Sequence, residues 1–392
     1  MKNRYSFFKK LILCSLAALA TTPNYGNIFF VVSFNDGSIQ VYKQQNDTFE
    51  PILTAKSNND LRSLRSIAIS KNQIVATAAG SQLSGVSVWE NTGKTLHRAQ
   101  TLYTMDLVQP FPTSVIFGQK GILASGFSDG TMRIWKQKKN GQFELTQELD
   151  ENSGCHTDFI TSVVCNKNGS LISISRDKTI KVWKQEKSGQ FKLEQTFDKR
   201  LVHRLSFVAF DTTKFLASAK DSTITHMLLP PDADDSIKIW KLNKNNQFDS
   251  FQKIENHCND DSISLTSILL NENGSLIAGY SSGIIKIWTQ EKNGHFQLRQ
   301  TLDQNSNSHA TKITSMALNP EGLLLSGSDK GVLKIWGQKG GQFKHIQTFD
   351  SLTKRAIKAL AFMPSKKTVD PFKTRLKMNK KYKKIKIITC EK

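Results

Sequence analysis

The sequence predicts an all-β fold, a seven-bladed β-propeller of four-stranded antiparallel blades, and three observations carry that prediction. A phrase repeats: SRDKTIKVWKQEKSGQFKLEQTF at 175–197 returns as SSGIIKIWTQEKNGHFQLRQTL at 281–302, and in looser form at 128–149 and 328–349. The repeat has a period. Trp89, Trp135, Trp183, Trp240, Trp288 and Trp336 follow one another at steps of 46, 48, 57, 48 and 48 residues, and Tyr42 stands 47 residues before the first of them. Each period is also built from short runs of alternating apolar and polar residues, the mark of half-buried strands.

The fourth unit illustrates the elements in order. ITSVVCN, LISISRD, TIKVWK and FKLEQTF are rich in β-branched and aromatic residues, which suit a pleated surface packed on one side. Turn formers separate them: Asn168-Gly169, Asn273-Gly274 and Glu321-Gly322 follow first strands, and Ser188-Gly189, Asn293-Gly294 and Gly340-Gly341 follow third strands. Gly in these pairs supplies the positive φ of hairpin turns. One such sheet cannot bury both faces, whereas sheets set radially bury them against one another. The ends of the array predict its closure. Only two strands, IFFVVSF (28–34) and SIQVYK, precede the first outer strand, and one further first-type strand, AIKALAF (356–362), follows Phe349. That strand is expected to complete the first blade from inside and so leave no free edge.

Over roughly residues 27–363 these features resemble the WD-repeat (WD40) family. The resemblance rests on the Trp that ends each third strand, on turns such as SDGT and RDKT six residues before it, and on His156 and His309, each four residues before a first strand. It implies a buried structural network of His156, Ser173, Asp177 and Trp183 in unit four, with His309, Ser326 and Trp336 as the partial set in unit seven. Departures from the family pattern are plain. No Asp follows any of the tryptophans, Asp329 falls one residue early, and Ser282 stands where unit six would carry the acid.

The N-terminus, MKNRYSFFKK followed by LILCSLAALA, reads as a secretory signal peptide over 1–20, and export to a periplasm or the exterior is the expected localisation. Cys14 follows Leu13, which argues against lipidation. The apolar run is too short to span a bilayer, so no transmembrane segment is expected in the mature chain. Lys and Arg number 54 against 33 acids, and the tail at 364–392 is dense in lysine. Cys155, Cys165, Cys258 and Cys390 match no metal or redox spacing; neither a disulfide framework nor a metal or cofactor is expected.

Across the units, turns such as QKKNGQF and QEKSGQF on one face stay constant, while loops of the other face vary, and unit five inserts residues between its second and third strands. The variable loops hold Phe111, Asp158, Phe159, His226, Met227, Leu228, Asp232, Asp234, Asp235, Asp260 and Asp261. They are expected to form an acidic face that binds a protein or peptide partner. Nothing resembles a nucleophile elbow, a phosphate-binding glycine loop or a metal-spaced histidine pair. The sequence therefore leads to a monomeric, non-catalytic interaction scaffold, and not an enzyme. Binding of a polyanion, a nucleic acid or an anionic surface through the basic tail and lysine-rich face stands second, and a propeller enzyme last.

Overall fold

Alternation at period two gives each repeat four short strands, and the strands pair with their sequence neighbours because the turns between them are tight. The computed structural model describes residues 28–363, apart from 47, 56–63, 71, 80–84, 92–94, 103–109, 166–167, 198–204, 211–214, 221–235, 246, 256–262, 272 and 351–354. Seven four-stranded antiparallel sheets are present, and six of them follow chain order from the innermost strand outward. The seventh is blade one. Its innermost strand, Ile357–Met363, pairs with Phe29–Phe34 in the register Phe29↔Met363 to Ser33↔Ala359, with Ile39–Gln45 and Thr48–Ala55 beyond. The predicted closure is thus observed, and each innermost strand touches the next around the whole ring.

The core lies between blades. There are seven apolar clusters among the described residues, and each draws its members from two adjacent blades. Phe30, Phe34 and Tyr42 of blade one pack with Leu323, Leu325 and Leu333 of blade seven, for example, and Met132 and Ile134 of blade three pack with Leu171 and Trp183 of blade four. Burial of these side chains removes apolar area from water on both faces of every sheet.

Two polar devices join the blades as well. In the outermost strands, Gln147 accepts from the Phe191 amide at 2.7 Å and donates to the Phe191 carbonyl at 2.8 Å. The same two-pronged clasp links Gln100 to Phe143, Gln195 to Phe248, Gln252 to Phe296, Gln300 to Phe343 and Gln347 to Phe49. The junction of blades one and two has Leu53 and Leu96 at these positions instead. In the innermost strands, Thr113 donates to the Ile160 carbonyl at 2.5 Å and Thr314 to the Ile357 carbonyl at 2.6 Å. Ser114 and Ser315 accept from Val163 and Leu360 of the next blade.

No helix among the described residues is long and apolar enough to cross a membrane. The signal peptide and the basic tail predicted from sequence lie outside the described residues.

Candidate functional site

Every innermost strand runs from the loop-bearing face inward, and its second residue sits at a register shift. The shift falls between Leu64 and Ser66, Pro112 and Ser114, Ile160 and Ser162, and Ile313 and Ser315, among others. Such a bulge re-aims the side chain it carries. In blades three, four, six and seven that side chain is Thr113, Thr161, Thr266 or Thr314, which bonds to backbone carbonyls. Blades one and two carry Lys358 and Arg65 there, and both are exposed at the rim of the central channel.

Arg65 reaches over aromatic rings of the two following blades. Its guanidinium carbon lies 5.0 Å from the Phe111 ring and 5.8 Å from the Phe159 ring, and these rings meet edge to face at 5.8 Å. The Arg176 guanidinium carbon lies 4.4 Å from the centre of the Phe159 ring. The backbone holds the rings in place. The Phe111 amide donates to Ser128 Oγ at 3.1 Å and its carbonyl accepts from the Ser128 amide, while the Phe159 carbonyl accepts from the Arg176 amide at 2.9 Å. Asp158 precedes Phe159, is exposed, and accepts from the Phe159 amide through Oδ1.

No carboxylate among the described residues is paired with Arg65 or Arg176. Burial against the rings, and then the charge of Arg176, lower the pKa of Arg65. Two guanidiniums held side by side on an aromatic wall form a seat for a planar or tetrahedral anion, which would relieve their mutual repulsion.

Most of the expected acidic face falls outside the described residues. Of its eleven residues, His226, Met227, Leu228, Asp232, Asp234, Asp235, Asp260 and Asp261 lie outside the described residues. The three that are described, Phe111, Asp158 and Phe159, lie by Arg65 and Arg176, so the described charges here are two guanidiniums and the exposed Asp158 carboxylate. Three other acids on this face are engaged: Asp129 accepts from Thr131, Asp36 from Ser38 and in an ion pair with Arg355 at 2.7 Å, and Asp177 from Thr179. The sequence reading missed Arg65 because it falls inside a strand, and Arg176 because it belongs to a repeated turn. A comparison of the second residue of each innermost strand across the repeats carried the signal.

His156 and His309 take part in other contacts. His156 Nε2 is 2.8 Å from Ser173 Oγ, which accepts from Trp183 Nε1 at 2.9 Å; His156 Nδ1 is 3.0 Å from Asp177 Oδ2 and 2.8 Å from Thr179 Oγ1. These bonds hold the Asp177 carboxyl well below the usual carboxylate range. In blade seven His309 Nε2 meets Ser326 at 2.8 Å and Trp336 donates to the same hydroxyl, but Nδ1 has no partner. Lys330 and Val332 occupy the places of Asp177 and Thr179. Burial, then the charge of Lys334, lowers the His309 pKa to about 4. One glycine is required by this arrangement. Gly130 has φ +88°, and a Cβ there would collide with the carbonyl of His156.

Comparison with known proteins agrees with the resemblance to WD repeats and adds a likeness in fold to proteins of other names. The model of the WD domain, G-beta repeat, matches residues 146–184 and 297–337, the two stretches that contain the His156 and His309 networks; the chain carries WD repeats in a seven-bladed propeller. No curated relative matches by sequence. Solved structures similar to the chain include a Bacteroides fragilis protein described provisionally as a 6-phosphogluconolactonase, with a TM-score of 0.65 at 13% identity, covering 88% of this chain and 99% of that one. The periplasmic gluconolactonase PpgL of Pseudomonas aeruginosa is similar with a TM-score of 0.64 at 12% identity, over 86% of this chain and 99% of that one. The WD40 β-propeller domain of Doa1 is similar with a TM-score of 0.56 at 19% identity, over 79% and 89%.

At these identities the likeness concerns the fold. The expectation of a non-catalytic scaffold rested on the WD-repeat resemblance and on the lack of catalytic motifs, and these neighbours overturn it, because the same ring occurs in proteins named as lactonases. Proteins named as lactone hydrolases share the same seven-bladed ring over almost their whole length. Blade architecture and catalysis are therefore compatible, and function must be argued from the site.

Proposed function

We propose that the channel mouth is the active site of a hydrolase that opens the lactone ring of a sugar acid. The observation that carries this reading is the Arg65–Arg176 pair on the Phe111–Phe159 wall, unneutralised by any described carboxylate. The names of two structural neighbours supply the substrate class. In the reaction, water adds to the lactone carbonyl, the ring C–O bond breaks, and the proton lost by water ends on the released hydroxyl. Negative charge develops first on the carbonyl oxygen and then on the product carboxylate. Arg65 and Arg176 would hold that charge, since donors fixed in place before the reaction stabilise an oxyanion most strongly. Lys358 adds positive potential at the rim. Asp158, exposed beside Phe159, would accept the proton from water.

The test follows lactone opening by pH-stat, with glucono-1,5-lactone and its 6-phosphate as probes and spontaneous hydrolysis subtracted. The full chain should accelerate opening of at least one probe, and Arg65→Ala/Arg176→Ala should lower kcat/KM by about 100-fold or more. A chain that never exceeds the buffer rate, or a double variant as active as its parent, refutes the assignment.

A further inference from the structure

Blade one breaks the rule of the other blades at its third strand. Tyr42 replaces tryptophan, and Val32 stands where Ser173, Ser218 and Ser326 accept the indole N–H. The smaller ring, having lost its hydroxyl partner, turns to Gln40, donating to Oε1 at 2.8 Å. It stacks on Phe30 with 4.9 Å between centroids and meets the edge of Phe349 at 5.2 Å.

A cleft of about 280 Å³ is left between blades one and seven. Its walls are apolar, formed by Phe34, Pro51, Leu333 and Phe349, and its lip carries both Asp350 and Arg355. Asp350 is exposed, and Arg355 is half-buried with one side of its guanidinium on Asp36. An apolar cavity of roughly 150 Å³ already accepts a benzene ring, so this one has room for a ring and a polar head.

We propose that this cleft binds a free aromatic amino acid, with the ring in the cleft, the ammonium at Asp350 and the carboxylate at Arg355. Asp36 meets the Arg355 guanidinium at Nη1, so a ligand carboxylate can join it at the remaining donors while the ligand ammonium meets the exposed Asp350; an anion without an ammonium would face both carboxylates with nothing to offset them. The floor favours the ring through edge and face contacts with aromatic neighbours. The site is separate from the Arg65–Arg176 pair, so its occupancy does not depend on the hydrolase reading.

The experiment is calorimetric titration of the full chain with L-phenylalanine, N-acetyl-phenylalanine and phenylalanine amide. L-Phenylalanine should bind with a Kd of about 1 mM or tighter, and each blocked analogue about tenfold more weakly. Tyr42→Trp/Val32→Ser, which rebuilds the arrangement of the other blades, should abolish binding. Should that variant fail to fold, Arg355→Gln at the lip should weaken L-phenylalanine and leave phenylalanine amide unchanged. No binding by the parent chain, equal binding of all three probes, or undiminished binding by the filled variant would each overturn the proposal.

Discussion

Replacing the blade-seven turn with that of blade four offers the sharpest check on how the blades are held. The perturbation is Asp329→Arg with Lys330→Asp and Val332→Thr, which copies the Arg176, Asp177 and Thr179 side chains and keeps Gly331. In the parent, His309 Nδ1 and Asp329 Oδ1 are both buried without a partner. An unsatisfied buried polar group costs about 1–3 kcal/mol, and in blade four the matching nitrogen has two partners within 3.0 Å. Part of the gain is offset by desolvation of the new carboxylate, so a net stabilisation of about 1–2 kcal/mol is expected. Equilibrium denaturation in guanidinium measures it, with the slope unchanged. The sign with pH follows from the same site. Burial depresses the folded-state pKa of His309 from the ordinary imidazole value of about 6.5 to about 4. The unfolded chain therefore gains a proton first, and stability is lost as pH falls from about 6.5 toward 4. In the rebuilt blade the aspartate favours the imidazolium, so this loss should shrink. A variant no more stable than its parent, or one equally stabilised in a His309→Phe background, would refute the reasoning.

Other outcomes follow from separate features. Gln147→Leu removes both bonds to the Phe191 backbone and should lower unfolding free energy by about 1–2 kcal/mol, read from a chemical denaturation midpoint. Gly130→Ala meets both a positive φ and the His156 carbonyl, whereas Gly189→Ala meets only a positive φ with nothing within 4 Å. The first should lose several-fold more stability than the second, whose cost is about 1–2 kcal/mol, and equal thermal shifts would contradict the packing described. Burial pushes the Cys155 and Cys165 thiols up to about 11, so neither should react with iodoacetamide at pH 8 until the chain is unfolded, as peptide mass mapping would reveal.

Much of the architecture was legible in the chain because its causes are local and repeated. Alternation within a run determined strands, glycine pairs determined hairpins, and the six tryptophans with Tyr42 counted the blades. The unpaired strand at 356–362 even indicated how the ring closes, since a first-type strand without its own blade must complete one begun elsewhere. The Gln–Phe clasps were visible only as a constant phrase; their meaning needed the neighbouring blade, to which the glutamine amide reaches.

The mouth was beyond such reading. Arg65, Phe111, Phe159 and Arg176 belong to three blades, and the first and last stand 111 residues apart in the chain (176 − 65). No periodicity relates a strand arginine in one repeat to a loop phenylalanine in the next two. Ring closure and the bulge at the second residue of each innermost strand bring them together, and the same closure opens the cleft at Tyr42 by setting it against blade seven. Repetition along the chain determined the scaffold, because each unit must satisfy its backbone and bury its faces in the same way. The charge and the hollows were decided in three dimensions, where the positions that break the repeat come to face one another.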